Sequence, residues 1–170
     1  MSSADSIVIP SIQHTGTKFV ASMFDGYCWK SLNEDWHERS VFVGHISPGQ
    51  INNVKTKMLQ HRAIVPLRHP FLVAESWKRR GKSIAELVDN FRLLVNEVDP
   101  LNPFYIAIDV EDREEHLSYI NSQLDLNLKT DWSVVNSVSG TYNLNYKDLE
   151  ADPIIVDLVD EIEVFLTQFY

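Results

Sequence analysis

The run His14-Thr15-Gly16-Thr17-Lys18 gathers an imidazole, two hydroxyls, an ammonium and a glycine within five residues. That set suits the capture of a multiply charged anion. Glycine lets backbone N–H groups close on a phosphate or sulfate, and the side chains add further donors. The run follows a β-branched stretch, Ile7-Val8-Ile9, and precedes a segment with Phe19, Val20, Met23 and Phe24 at helical spacing. Strand, small-residue turn and helix put the run at a helix N-terminus, where the macrodipole adds partial positive charge. An ordinary βα turn draws on the same residue types, so this stretch alone leaves both readings open.

Two further stretches carry groups of matching chemistry. Ala63-Ile-Val-Pro-Leu67 is an apolar strand ending at Arg68, and Ser76 follows eight residues later. A guanidinium binds phosphate through two parallel hydrogen bonds, and a serine hydroxyl adds a third. Ser40-Val-Phe-Val-Gly44 reads as a short buried strand ending at His45, whose imidazole titrates near neutrality and suits proton abstraction. A histidine that only ends a strand would look the same.

Taken together, these pieces resemble the sulfotransferase family. Its first loop reads roughly Lys/Arg-Ser/Gly-Gly-Thr, which Gly16-Thr17 match. Its second element supplies an Arg and a Ser eight apart, as Arg68 and Ser76 are here. Gly44-His45-Ile46, with Pro48 behind, is similar to the family's Thr-His-Leu-Pro-like segment. The resemblance spans essentially the whole chain, but its motifs are specific only between about Ile7 and Arg80. It implies a P-loop NTPase-like α/β fold and transfer of a sulfuryl group from 3′-phosphoadenosine 5′-phosphosulfate (PAPS) to an acceptor hydroxyl or amine, without a metal. It also implies roles: His45 as the base for the acceptor; His14, Thr15, Gly16, Thr17 and Lys18 around the 5′-phosphosulfate; Arg68 and Ser76 on the 3′-phosphate; and Phe19 against adenine. Of these, His14 and Lys18 join His45 as catalytic candidates, because each can stabilise charge on the leaving oxygen.

The departures are specific. His14 stands where the family has Lys or Arg. The family's later Arg-Lys-Gly loop has no clear counterpart, the nearest stretch being Asn136-Ser-Val-Ser-Gly-Thr-Tyr142, which holds no basic residue. The chain is also shorter than many relatives, which implies an acceptor site that is open or completed by a partner.

These residues need a scaffold that brings several strand ends together. Candidate strands are 6–11, 41–45, 63–67 and 104–109, short and rich in Val, Ile or aromatics. Helical patterns fall at 17–26, 49–61, 71–80, 83–97, 111–124 and 153–168. Ser83 with Glu86 forms a capping box for the fourth of these. Strands alternating with helices predict a parallel sheet of four to five strands with helices on both faces, in one domain over residues 1–170. Ligands of such sheets bind beyond the carboxyl ends of the strands, where His14, His45 and Arg68 all fall. The stretch 125–145 reads as a long loop able to fold over a cofactor. The acidic last helix reads as a packing element.

Composition narrows the field. A chain of 170 residues, 44% apolar, can bury a core. Its net charge of −9 argues against a general nucleic-acid binder. Residues 51–82 nevertheless carry 8 basic groups and 1 acidic one, Arg68, Lys78, Arg79, Arg80 and Lys82 among them. An acidic protein that concentrates cations around one motif suits a polyanionic small molecule. Arg79 and Lys82 taken singly read as a solvated helix end. The single cysteine, Cys28, excludes an internal disulfide, and its neighbours Tyr27 and Trp29 suggest a buried thiol. No apolar run reaches the roughly 18 residues of a membrane span, and the first residues show no signal-peptide pattern, so a cytoplasmic protein is expected. The six histidines show no metal-binding spacing. The expected partner is a small-molecule or glycan acceptor, with no nucleic acid and no membrane.

Two other functions fit parts of the pattern. One is a non-catalytic, sulfotransferase-like nucleotide-binding module, favoured by His14 and by the missing basic loop. The other is a P-loop kinase. It would need Gly-x4-Gly-Lys-Ser/Thr, but Thr17 separates Gly16 from Lys18 and Phe19 replaces the metal-binding hydroxyl. Asp109 could serve as its metal-binding acid.

Overall fold

The computed structural model of the chain describes residues 6–35, 39–133 and 153–169. Five strands form one parallel sheet: β1 (Ile7–Ser11), β2 (Cys28–Ser31), β3 (Ser40–His45), β4 (Arg62–Leu67) and β5 (Phe104–Ala107), in the order β2-β3-β1-β4-β5. The helices are α1 (Thr17–Ala21), α2 (Ile51–Gln60), α3 (Pro70–Arg79), α4 (Ile84–Leu93), α5 (Arg113–Leu124) and α6 (Pro153–Leu166). The expected α/β class with a parallel sheet is therefore the observed one.

Side chains of successive strand residues alternate between two faces, and each face builds its own core. Val8, Phe42, Ala63, Val65 and Leu67 join Val54 of α2, Trp77 of α3, Phe91 of α4 and Leu158 of α6. Ile7, Ile9, Val41, Ile64 and Ile106 join Val20 of α1 and Leu117 and Ile120 of α5. β1 is buried at every position because it is the central strand. On α6, Ile155, Leu158, Ile162, Phe165 and Leu166 are buried, the helical stripe its sequence displays, whereas Ile154 is half exposed.

Several boundaries differ from the sequence expectation. β2 has no counterpart in it, since Cys28-Trp-Lys-Ser31 carries no apolar alternation and is mostly exposed. It is an edge strand, which is also why Cys28 is exposed rather than buried. α1 ends at Ala21 instead of running to residue 26, because Met23 and Phe24 donate to Val20 and Ala21 in tighter turns and Gly26 turns left-handed. The stretch 83–97 splits into α4 and a π-helical turn, Leu94–Val98. Ser83 caps α4 by accepting from the Glu86 N–H, as its position implies (3.4 Å). Among the described residues no helix is long and apolar enough to cross a membrane.

Candidate functional site

The chain leaves β1 toward β2 and leaves β4 toward β5, so the topology switches between these neighbours. Their ladder is short. It pairs only Ile7 with Arg62 and Val8 with Ala63, and the carboxyl halves of the two strands are unpaired with each other. A crevice at such a switch point is where parallel sheets hold ligands. At this carboxyl edge, beside the β1–α1 turn, the end of β3 and the exit of α3, lies a cleft of about 390 Å³ lined by Gln13, His14, Gly16, Thr17, Lys18, Phe19, His45, Arg80 and Lys82.

The β1–α1 turn is built by local hydrogen bonds. Both the backbone N–H and the hydroxyl of Thr15 donate to the Ile12 carbonyl (3.2 and 2.7 Å), and Thr15 is buried. Thr15 thus holds the turn together and does not line the cleft, although its hydroxyl had looked like a ligand donor. Thr17 and Ser11 share a short hydroxyl contact of 2.5 Å behind the cleft wall. His14 has φ 73° and Gly16 φ 97°. The left-handed region costs a non-glycine residue about 1–2 kcal/mol, so position 14 is held there by the surrounding structure. At Gly16 a Cβ would also come within 2.5 Å of Ile108 Cδ1, so glycine permits the turn to pack against Ile108, the residue after β5.

α3 steadies this turn from the other side. His69 caps α3 by accepting from the Phe71 N–H through Nδ1 (3.2 Å), and Pro70 opens its first turn. Near the far end of α3, the buried Trp77 donates its indole N–H to the Gln13 carbonyl (3.1 Å). α3 therefore begins beyond β4 and crosses the carboxyl edge of the sheet toward β1. Its exit, Arg80-Gly81-Lys82, lies at the cleft because of that course. Lys82 donates to the Gln13 side-chain carbonyl and stands 5.1 Å from the Trp77 ring centroid. Lys82, which reads in sequence as a solvated helix end, is thus a cleft residue, whereas Arg79 pairs with Glu75 one turn back (3.5 Å). The available signal was Gly81 at φ 66°, the left-handed residue that ends α3, followed at once by the Ser83 cap. Two cations in so tight a corner project together.

The electrostatics follow from this crowding. Among the described residues no carboxylate pairs with Lys18, Arg68, Arg80 or Lys82. Burial, then Arg80, Lys82, His45 and Arg68, hold His14 down to a pKa of about 4, so its ring is neutral at pH 7. Its Nε2 is buried with no hydrogen-bond partner among the described residues. His45 is the register partner of Ser11 on the adjoining strand and is exposed at the rim. Desolvation lowers its pKa and Lys82 acts in the same direction, against a backbone hydrogen bond with Ser11. It too is an unprotonated base at neutral pH.

The His14 shift predicts a pH effect on stability. The folded-state pKa is lowered from 6.5 to about 4, so between those values the unfolded chain binds a proton that the native chain does not. Stability contributed by neutral His14 is complete above that window and lost as pH falls through it. His45, His61 and His69 are shifted in the same direction. His14→Asn is therefore expected to flatten, without abolishing, the fall of Tm with acidification in that range, as a melting series would read. An unchanged slope would mean that His14 is not a neutral group forced by its surroundings.

The other expected site residues are placed as follows. Arg68, half-buried at the end of β4, is near enough to His14 to act on its charge but does not line the cleft. Ser76 is buried on α3 and does not line it either. Phe19 lends one side to the cleft, and its ring lies 5.4 Å from that of the buried Trp132, so it also belongs to the core. Asp109 accepts the His69 backbone N–H (2.8 Å), anchoring the start of α3. Of the stretch 125–145, residues 125–133 are packed rather than loose. Leu128 and Trp132 are buried, and the Asn121 amide both donates to and accepts from the Leu128 backbone (2.9 and 2.8 Å). Residues 134–145, including Asn136–Tyr142, lie outside the described residues.

Among solved structures, a mouse sulfotransferase, SULT7A1, complexed with PAP is similar to this chain. The identity is 14% and the TM-score 0.48, with 88% of this chain and 66% of that one covered. No family model matches the chain, and no curated protein sequence does.

Proposed function

We propose that the chain binds PAPS in the cleft and transfers its sulfuryl group to an acceptor hydroxyl or amine. The observation that carries this reading is the set of cations at and beside the cleft with no carboxylate partner among the described residues, in a chain whose net charge is −9. Arg68 and Lys82 are half-buried, and a half-buried cation without a counter-charge gains from an anion that completes it. The cleft volume, about 390 Å³, falls in the range of small-molecule sites. The buried, unpartnered Nε2 of His14 fits an anionic oxygen, to which a neutral imidazole can donate.

The cofactor supplies a sulfuryl group activated on a phosphate oxygen. The chain's part is to hold it, shield it and manage one proton. Lys18, His14 and the backbone around Gly16 surround the 5′ end, and fixed charge there stabilises the leaving oxygen without reorganisation. The 3′-phosphate reaches beyond the cleft lining toward the end of β4 and α3, where Arg68 supplies the charge and Ser76 a hydroxyl. Phe19 offers a ring face to the base. His45, neutral and at the rim, accepts the proton of an acceptor arriving from solvent. A module that binds the nucleotide without transfer is the second reading, favoured by the neutral state of His14 where relatives carry a fixed cation.

Calorimetric titration with 3′-phosphoadenosine 5′-phosphate (PAP), beside AMP and ATP–Mg²⁺, tests the cofactor class. PAP is expected to bind about tenfold or more tightly than either, roughly 1.4 kcal/mol. Preference for ATP–Mg²⁺ would favour a kinase instead. If none of them bound, the catalytic reading would have to be abandoned.

A further inference from the structure

Among the described residues, several cations are paired with carboxylates. Lys30, Lys55, Arg79 and Arg92 pair with Glu34, Glu97, Glu75 and Asp89 or Glu161. Lys82 instead has a neutral partner, the side-chain carbonyl of Gln13, and an aromatic neighbour, Trp77. An amide oxygen fixes the ammonium in place but does not cancel its charge, and two of its three N–H donors remain for another acceptor. Gln13 is itself fixed by the Trp77 indole N–H on its backbone carbonyl. Lysine is ordinarily a flexible side chain whose ordering costs entropy on binding, and here much of that cost is met in the fold.

Lys82 also lines the cleft together with His14 and His45 and acts on the charge of both. Position 14 brings no fixed charge to the first loop. Besides Lys18, the cations that line the cleft come from the exit of α3, Arg80 and Lys82, and of these two Lys82 is the one held by neighbouring side chains.

We propose that Lys82, oriented by Gln13 and Trp77, is the central anion-binding cation of the cleft and carries the charge-neutralising task that position 14 cannot. The transfer step rests on the sulfotransferase reading, while the anion site itself does not. In the transfer, the acceptor atom forms a bond to sulfur, and the bond from sulfur to the bridging phosphate oxygen breaks. Its electron pair stays on that oxygen, and the acceptor proton passes to His45. Lys82 lowers the cost of the negative charge that gathers on the bridging oxygen and the sulfuryl oxygens, and its repulsion adds to the desolvation that holds the His45 pKa down. Gln13 is a positioning residue.

The test is calorimetry of the full chain with two probes, inorganic phosphate and PAP, on the wild type, Lys82→Gln, Lys82→Arg and Gln13→Glu. Lys57→Gln is the charge-matched control: its ammonium bonds the Glu34 carbonyl and lies over Phe42, near the end of α2 that leads into β4. Lys82→Gln is expected to weaken both probes by about tenfold or more, Lys82→Arg to restore most of the loss, and Lys57→Gln to change little. Gln13→Glu, which keeps Lys82 but gives it an acidic partner, should also weaken both, and it decides the matter should Lys82→Gln not fold. In NMR titrations, the His14 ring of Lys82→Gln should protonate at higher pH than in the wild type, a change that lost packing alone would not produce. Phosphate and PAP affinities within about twofold of wild type in folded Lys82→Gln would overturn the assignment of Lys82. Phosphate bound through Lys82 without any PAP binding would uphold the anion site and overturn the sulfotransferase reading. Failure of the wild type to bind either probe would overturn both.

Discussion

His45→Ala is expected to slow sulfuryl transfer by about 10²–10⁴-fold, the usual contribution of a positioned general base, while PAP affinity stays nearly constant. The split follows from where His45 stands. It ends β3 beside Ser11 of β1, one strand over from the turn that carries His14 and Lys18, and its ring is at the rim rather than the floor of the cleft. A group so placed meets an acceptor before it meets a nucleotide. Its lowered pKa leaves it unprotonated at neutral pH and keeps it competent on the acid side of 6.5. Single-turnover release of PAP from PAPS, with a simple phenol or water as acceptor, reads the chemical step directly. Loss of rate with unchanged PAP affinity is the expected pattern, and the acid limb of the pH–rate profile should vanish in the variant. Turnover equal to wild type would remove His45 from the mechanism. A parallel loss of PAP affinity would make it a binding residue instead.

The scaffold was legible because each buried strand advertises itself. Ile7-Val-Ile9, Val41-Phe-Val43 and Ala63-Ile-Val65 are continuous apolar runs, as a parallel sheet covered on both faces requires. β2 escaped the same reasoning because an edge strand with an exposed face has no such run. The strand ends at His14, His45 and Arg68 could be predicted to share one edge, since that follows from parallel topology alone. The contribution of α3 could not. A crossover helix is expected to run back along the sheet, which would carry residue 80 about 15 Å away from the carboxyl edge. Instead α3 crosses that edge, with Trp77 bonded to the Gln13 carbonyl, and Arg80 and Lys82 arrive at the cleft. Helix direction is decided by which tertiary contacts bury the apolar face, and a charge run viewed along the chain does not contain that information. The protonation state of His14 was hidden for the same reason: it depends on burial in the assembled cleft first, and then on Arg80 and Lys82, 66 and 68 positions further along the chain.

Arg68→Ala is expected to cost about 2–5 kcal/mol of PAP affinity, the second large effect. Arg68 is the first residue beyond β4, at the side of the crevice opened where the β1–β4 ladder stops at Val8 and Ala63. Half-buried and without a carboxylate partner among the described residues, it retains a charge that little solvent screens. A guanidinium in that state gains most from a doubly charged group placed against it, which the 3′-phosphate provides where AMP has only a hydroxyl. The loss should therefore be large for PAP and small for AMP when both are titrated at one salt concentration, so that the variant no longer separates the two nucleotides. Ser76→Ala, which removes a hydroxyl and no charge, should cost less, in keeping with the weaker hydrogen bonds of neutral groups. Equal losses for PAP and AMP would instead assign Arg68 to the 5′ end, alongside His14, whose charge it already opposes. The 3′-phosphate would then need another holder.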